Sequence, residues 1–434
     1  MFDKINILGR EELIKMGIEY KLLGYKNNFD EPFLTDNQIR LSLIKKLEKE
    51  ENVSDDIQYA GGKTKNKKKK KKKSQRNRNY YGSQNINLNL KSFYPKVKCK
   101  LVAIGDLHGD YNVTVKSLKL AGVIPMNTSL KEDIEDIEWI GGNTIVVQLG
   151  DQIDRCRPTE WYKDCCADND TYQDEGSNLK IINLMDILHI KAEIEGGKVI
   201  SILGNHEIMN CVGDFRYVSP KEFEEFGKFY NTKKTSHKRS FPYGYKERKK
   251  CFLPGGMISK IYAKNRLSMV QVGGWIFVHG GLTGKSAGAF TINEVNQGIS
   301  NWLMGNRNLL SKDIFSMMYD DDDNGIFWTR EFGDLANWDI FKSPKKFKNT
   351  LDIFNSKNKR GMDCLAKGII MGHTPQYMNF KGINSSCDNK CWRVDVGASK
   401  AFGPCTNSED ENKYRKCAVL MIDENEKCHI LKEK

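Results

Sequence analysis

Five short apolar runs in this chain each end beside a glycine and a side chain that offers a polar oxygen or nitrogen. The polar segments are Gly-Asp-Leu-His-Gly-Asp at 105–110, Gly-Asp-Gln-Ile-Asp-Arg at 150–155, Gly-Asn-His-Glu at 204–207, His-Gly-Gly at 279–281 and Gly-His-Thr at 372–374. Apolar runs of this length predict buried strands. The repeat constrains the fold strongly, because five such segments in this order, each after an apolar strand, would rarely arise by chance.

Helical patterns separate the first of these strands. Residues 113–120 and 178–195 have helical spacing of apolar side chains, and Ile181, Met185 and Leu188 share one face of the second segment. Strands that alternate with helices predict an α/β domain. Because functional groups in such domains gather at the carboxyl ends of the strands, we expect the five polar segments to form one site.

The side chains in these segments are typical ligands of divalent metals. Carboxylate, imidazole and amide oxygen groups suit manganese, iron or zinc, and the neighbouring glycines permit close backbone approach. A single histidine in a large protein is usually structural, but His108, His206, His279 and His373 each lie at a strand end beside glycine or another candidate ligand. The pattern therefore predicts a metal centre.

The order and spacing of the five segments resemble the calcineurin-like metallophosphoesterases of the phosphoprotein phosphatase type. Gly-Asn-His-Glu-Ile-Met-Asn at 204–210 and Gly-Asp-Phe-Arg-Tyr-Val at 213–218 most resemble the Shewanella-like protein phosphatases. The resemblance covers residues 97–432. It implies an α/β fold with a central β-sandwich flanked by helices, and a metal site at the carboxyl ends of the strands.

The resemblance also implies a set of metal ligands. Two divalent ions would be bridged by Asp151, and the remaining ligands would be Asp106, His108, Asn205, His279 and His373. Two metals that share a carboxylate can also share a hydroxide and make it nucleophilic at neutral pH. The implied reaction is metal-dependent hydrolysis of a phosphate monoester by that hydroxide. The substrate would be a phosphorylated protein, as for a Ser/Thr or Tyr protein phosphatase, or a small phosphoester.

Four further residues receive catalytic or phosphate-binding roles from the resemblance. His206 would protonate the leaving oxygen, and Asp154 would hold His206 in the required tautomer. Arg155 would bind the phosphate oxygens through its planar fork, and Arg330 resembles the second phosphate arginine of the family.

Two features depart from the family pattern. The family usually has glycine after the motif arginine, whereas this chain has Cys156. Residues 156–175 also resemble an insertion close to the predicted site. Either feature would alter access of the substrate.

The amino-terminal part of the chain lies outside the resemblance. Residues 1–50 form an accessory segment with one predicted helix, and residues 51–96 read as a disordered linker rich in Lys and Asn. The catalytic domain is then expected at 97–434. Eleven basic residues and no acidic residue lie between Lys63 and Arg78, and subtracting them from the net charge of +13 leaves +2 for the rest of the chain. This lysine run favours weak, salt-sensitive binding of polyanions.

Alternative functions remain open at this stage. A hydrolase of bis-nucleoside polyphosphates shares the metal motifs, and an inactive scaffold that binds nucleic acid through the lysine run would keep the fold without the activity. The chain has no recognisable signal peptide and no apolar run long enough to cross a bilayer. We therefore expect an intracellular, cytoplasmic protein with free cysteine thiols, or a nuclear one directed by the lysine run.

Overall fold

The computed structural model describes residues 87–95, 98–157, 171, 173–232, 242–306, 311–319, 325–335, 338–359, 361–379, 381–403 and 413–433. The predicted amino-terminal helix and the lysine run of 63–78 lie outside these residues. Residues 87–95 were expected to end the linker, but Phe93–Tyr94 pairs in parallel with Gln271 and Val272. The ordered domain thus begins before residue 97.

Eleven strands occur in the described part of the chain. They are β1 (Phe93–Tyr94), β2 (Leu101–Ile104), β3 (Ile145–Gln148), β4 (Lys198–Ser201), β5 (Met269–Val272), β6 (Trp275–Val278), β7 (Gly368–Met371), β8 (Asn384–Ser386), β9 (Cys391–Arg393), β10 (Ala418–Ile422) and β11 (Cys428–Lys432). The strands predicted before the five polar segments correspond to β2, β3, β4, β6 and β7.

The α-helices of the described residues lie mostly between these strands. They are α1 (Tyr111–Leu120), α2 (Asn178–Ile194), α3 (Asn205–Val212), α4 (Pro220–Phe229), α5 (Tyr245–Phe252), α6 (Met257–Asn265), α7 (Gly284–Ala289), α8 (Ile292–Leu303), α9 (Lys312–Tyr319) and α10 (Lys342–Asn358). Within the described ranges, no helix has the length and apolar character that a membrane span requires.

The strands form two mixed sheets. One has the order β1-β5-β6-β7-β9-β8 and the other the order β11-β10-β2-β3-β4. Strands β2, β3 and β4 run parallel in the second sheet, and β6, β7 and β9 run parallel in the first. The carboxyl ends of three neighbouring strands therefore meet at one edge of each sheet.

The two sheets pack face to face, and helices cover the outer face of the second sheet. Leu101 and Ala103 of β2 belong to a buried cluster that includes Phe277 of the opposite sheet. The alternate residues of β2, Val102 and Ile104, belong to a separate cluster with side chains of α1 and α2. This alternation follows from the two-residue period of a strand. It confirms the predicted α/β fold with a central β-sandwich flanked by helices.

The predicted apolar face of α2 packs into the core as expected. Ile181, Met185 and Leu188 are buried in the cluster that covers the sheet. The expectation of free thiols was wrong for one residue, because Cys156 is disulfide-bonded. Disulfide pairing depends on which sulfur atoms the fold brings together, and spacing along the chain does not reveal this.

Candidate metal centre

The predicted polar residues follow the parallel strands of both sheets. Asp106 and His108 follow β2, Asp151 follows β3, Asn205 and His206 follow β4, His279 follows β6, and His373 follows β7; all seven are buried. Because the two sheets face each other, their strand ends bring these side chains to a common centre.

One half of the centre lies around His108. Ligand atoms of His108, Asp151 and His206 all lie within 4.8 Å of one another. His108 Nε2 lies 3.8 Å from Asp106 Oδ2 and 3.8 Å from Asp151 Oδ2. The backbone N–H of His373 donates to Asp106 Oδ2 at 3.0 Å and links this half to the other sheet.

The other half lies around Asn205. Ligand atoms of Asp151, His279 and His373 form a second group within 4.8 Å. His279 Nε2 lies 2.8 Å from Asn205 Oδ1 and 3.3 Å from Asp151 Oδ2. His373 Nδ1 lies 3.0 Å from the same Asn205 oxygen. Asp151 thus belongs to both halves of the centre.

The hydrogen bonds of the two histidines indicate which ring nitrogens face the centre with a lone pair. His279 Nδ1 lies 2.6 Å from the carbonyl oxygen of Leu149, and His373 Nε2 lies 3.1 Å from that of Trp328. A carbonyl oxygen only accepts, so these nitrogens carry the protons of the neutral rings. In the neutral rings the opposite nitrogens are acceptors, and they face Asn205 Oδ1, which is also an acceptor. A cation satisfies such a set of converging acceptors.

The electrostatics also favour a cation. Burial raises the pKa of Asp106, and the nearby carboxylates of Asp395 and Asp151 raise it further. Burial opposes the charge of Asp151, but the adjacent His279 and His206 outweigh it and hold the pKa of Asp151 well below its usual range. Burial likewise lowers the pKa of His279, yet its contact with Asp151 raises the net value. Buried carboxylates without a cation draw protons into the centre, and the donor set fits divalent metals.

Several residues of the centre have a left-handed backbone. The φ angles are 42° at His108, 50° at Asp151, 73° at Asp154 and 66° at His373. Residues other than glycine rarely adopt this region. Such strain is maintained only where surrounding structure holds it, and it concentrates at functional sites.

Two glutamates that the sequence analysis did not select hold the strained loop after β3. Glu207 accepts the backbone N–H groups of Asp151 and Gln152, both at 2.8 Å. Glu222 accepts those of Asp154 at 3.1 Å and Arg155 at 2.9 Å. Both glutamates are three residues after a helix N-cap, and Ser219-x-x-Glu222 is a capping-box pattern that the sequence does display.

Asp395 is a third residue that the sequence analysis left out. It follows β9 and is buried, and its repulsion contributes to the raised pKa of Asp106. Burial also raises the pKa of Asp395 itself to about 6. The criterion that selected the other candidates, a polar side chain after an apolar strand and close to a glycine, would also have selected Asp395.

The predicted pair of His206 and Asp154 is in contact. His206 Nδ1 lies 2.8 Å from Asp154 Oδ2, which leaves His206 Nε2 to face Asp151 Oδ2 at 3.8 Å. Asn210 Nδ2 donates to both Asp154 oxygens at 2.9 and 3.0 Å, and Arg248 pairs with Asp154 Oδ1 at 3.3 Å. The carboxylate is therefore firmly oriented toward the histidine.

The two predicted phosphate arginines have different surroundings. Arg155 is fully buried, and its Nη2 lies 3.4 Å from Glu175 Oε2 and 3.8 Å from Asp110 Oδ2. Glu175 and Asp110 both lie beside this same nitrogen, and the phosphate role of Arg155 stays a prediction. Arg330 is exposed, and after burial its charge is the next largest cause of the low pKa of His373.

Comparisons with known proteins agree with this geometry. Residues 99–394 match the family model described as calcineurin-like phosphoesterase. Shewanella-like protein phosphatase 2 of Arabidopsis thaliana is 31% identical over 73% of this chain and 75% of its own length. Shewanella-like protein phosphatase 1 of Plasmodium berghei is 30% identical over 76% of each chain. The crystal structure of a cold-active protein-tyrosine phosphatase from a psychrophilic Shewanella species shares the fold, with a TM-score of 0.53 and 19% identity over 80% of this chain and 84% of that chain. The chain belongs to the calcineurin-like phosphoesterases, and among them to the Shewanella-like protein phosphatases.

Proposed function

We propose that this chain is a metal-dependent protein phosphatase whose active site is the centre shared by the two sheets. The observation that carries the proposal is the position of the His206–Asp154 pair beside two ligand groups that have Asp151 in common. A proton donor next to a site for two cations suits cleavage of a P–O bond.

In this proposal, the first metal is held by Asp106 and His108 and the second by Asn205, His279 and His373, with Asp151 shared. Two divalent ions would supply positive charge for the phosphate oxygens and lower the pKa of a water molecule. The ions would also neutralise the carboxylates of Asp106, Asp151 and Asp395. Manganese, iron and zinc all suit these ligands.

His206 acts as the proton donor to the leaving oxygen. Its Nδ1–H donates to Asp154, so the proton that it transfers leaves from Nε2. Nε2 also lies near Asp151 and could instead bind a metal. The two roles differ in their consequences, since loss of a ligand weakens metal binding whereas loss of an acid does not.

The test uses the purified full chain with p-nitrophenyl phosphate and with a phosphoserine peptide, with and without Mn²⁺. Asp151→Asn should lose nearly all turnover of both substrates and should bind Mn²⁺ more weakly. His206→Asn should lower turnover of the peptide by roughly 10²–10⁴-fold. Its effect on p-nitrophenyl phosphate should be smaller, because p-nitrophenolate leaves without much help from an acid.

Asp423→Asn and His429→Asn are matched controls. These two residues pair with each other at 2.8 Å within the β10–β11 hairpin, and both variants should keep the parent's turnover. A parent that is inactive with every divalent metal would refute the proposal. Equal losses on both substrates together with weakened Mn²⁺ binding in His206→Asn would make His206 a ligand. If the parent instead prefers a bis-nucleoside polyphosphate, that class of compound and not a phosphoprotein would be its substrate.

The substrate class proposed for this chain is an intracellular phosphoprotein. Weak binding of polyanions through residues 63–78 and the domain division at 1–50, 51–96 and 97–434 stay predictions. The only adjustment is that ordered structure begins before residue 97, at the residues that include β1.

A further inference from the structure

Arg157 contacts the half of the centre that lies around His108. Its Nη2 lies 2.7 Å from His108 Nε2. Its Nη1 donates to the carbonyl oxygens of Cys156 at 2.7 Å and Asp154 at 3.3 Å. These contacts bring a permanent positive charge to the edge of the candidate metal centre.

Two aromatic rings flank this guanidinium. Its central carbon lies 4.5 Å from the centre of the Phe402 ring and 5.3 Å from that of Tyr217. Phe402 also contacts the ring of His108, and Tyr217 contacts that of His206, with ring centres 5.4 and 4.8 Å apart. Aromatic faces attract a cation without neutralising it. They therefore hold the arginine beside the proposed proton donor and leave its charge available.

Arg157 differs from its neighbours in lacking an acidic partner. Carboxylates pair with Arg155, Arg216, Arg248 and Arg266. Among the residues that the structure describes, no carboxylate pairs with Arg157, whose contacts are carbonyl oxygens, aromatic rings and the nitrogen of His108. A half-buried guanidinium of this kind is a ready receptor for an anion.

We propose that Arg157 binds the phosphate group of the substrate, as a further ligand beside those that the resemblance implies. This inference rests on the proposed function, since it names a binding residue of that same site. Arg157 belongs to the segment that departs from the family pattern, directly after Cys156. The motif arginine, Arg155, is fully buried beside Glu175 and Asp110, whereas the guanidinium of Arg157 is only half-buried.

The contact with His108 is compatible with this role. His108 Nε2 is the atom that a first metal would take, and an arginine and a metal ion cannot share one lone pair. With metal bound, Nη2 has to turn away from His108, while the two carbonyl oxygens and the aromatic rings keep the guanidinium at the edge of the centre. A phosphate group next to the metals then provides the acceptor that Nη2 needs.

The experiment measures phosphate binding without turnover. Inorganic phosphate is titrated calorimetrically into the Mn²⁺-loaded full chain, for the parent and for Arg157→Gln, Arg157→Lys and the charge control Lys228→Gln. Lys228 is exposed on α4, where its Nζ pairs with Glu224 at 3.1 Å. Loss of a charge-assisted hydrogen bond should weaken phosphate binding on the order of tenfold to a hundredfold in Arg157→Gln. Arg157→Lys should recover part of the loss, and Lys228→Gln should match the parent.

Three further readouts separate the possible outcomes. The KM for p-nitrophenyl phosphate should rise in parallel with the dissociation constant of phosphate, and the thermal midpoint should stay near that of the parent. Phosphate affinity within twofold of the parent in Arg157→Gln would overturn the inference. Tighter Mn²⁺ binding with unchanged phosphate affinity would also overturn it, because Arg157 would then only compete with the metal. An inactive parent that still binds phosphate through Arg157 would refute the proposed function and leave this inference standing.

Discussion

At the scale of single residues, the centre depends on how closely the backbone approaches its ligands. A Cβ atom at Gly204 would lie 2.1 Å from Asp151 Oδ1 and 2.5 Å from the Asp151 nitrogen. A Cβ at Gly372 would similarly meet Asp106 Oδ1 at 2.4 Å. Glycines beside the ligands are therefore needed for space as well as for turning the chain.

The first residue-scale prediction follows from Gly204. In Gly204→Ala the new methyl group has to displace the Asp151 carboxylate, which is common to both ligand groups. We expect Mn²⁺ binding to weaken roughly tenfold or more, as for other changes that misorient a ligand. Calorimetric titration with Mn²⁺ measures the effect.

Gly382→Ala is the matched control, because a Cβ at Gly382 meets no atom within 4 Å. It should bind Mn²⁺ like the parent. Parent-like affinity in Gly204→Ala would show that the shared carboxylate does not depend on this close approach.

At the scale of secondary-structure elements, helix starts position the loops of the site. Ser219 caps α4, and Glu222 in the first turn closes the capping box by accepting the Ser219 N–H at 2.9 Å. The same carboxylate reaches out of the helix to the N–H groups of Asp154 and Arg155. One side chain therefore caps the start of a helix and also holds the loop that presents Asp154 to His206.

The element-scale prediction concerns this carboxylate. Each of the two oxygens of Glu222 accepts a hydrogen bond from a buried backbone N–H group. In Glu222→Gln an NH₂ group replaces one of these oxygens, so this NH₂ group would face a backbone N–H donor. We expect the free energy of unfolding to fall by about 1–3 kcal/mol, together with a loss of turnover as Asp154 shifts. Urea denaturation of the metal-free protein measures the first effect.

Glu224→Gln on the same helix provides the comparison. Glu224 forms a surface pair with Lys228, and such pairs contribute little to stability. A loss of stability in Glu224→Gln as large as that in Glu222→Gln would mean that the helix, and not the link to the loop, causes the change.

At the scale of the whole molecule, two sheets contribute acidic groups to one buried centre. Asp106 and Asp151 come from the second sheet, whereas Asp395 comes from the first. The pKa of Asp106 is raised well above its usual range, and that of Asp395 is raised to about 6. Without metal, these two carboxyl groups therefore bind protons more tightly in the folded state than in the unfolded chain.

This linkage predicts how stability depends on pH. For Asp395 the free energy of unfolding of the metal-free protein should fall as pH rises from the ordinary value of 3.8 to about 6. Mn²⁺ binds the deprotonated ligands. The rise in thermal midpoint on adding Mn²⁺ should thus be several degrees, and it should be larger near neutral pH than at about pH 5.

Scanning calorimetry at two pH values with and without Mn²⁺ tests the linkage, and a chelator should reverse the shift. Asp151→Asn should show little stabilisation by Mn²⁺ at either pH. An equal shift at both pH values, or a parent-like shift in Asp151→Asn, would place the metal elsewhere.

The sequence by itself determined the fold class, the family and the set of candidate ligands. Apolar runs that end at glycine and Asp, Asn or His predict strands with ligands at their carboxyl ends, because strand periodicity and metal chemistry are both local properties. The predicted ligands do lie together. Their chemical roles stay predictions for the variants described above.

Only the tertiary structure decided which charged groups face each other. Arg155 and Arg157 are two residues apart and chemically identical, yet carboxylates surround one and aromatic rings flank the other. Packing likewise places Glu222 against the loop after β3 and Asp395 beside Asp106, and the local sequence shows neither contact. Burial and neighbouring charge set the state of such groups, and both depend on contacts between residues far apart in the chain.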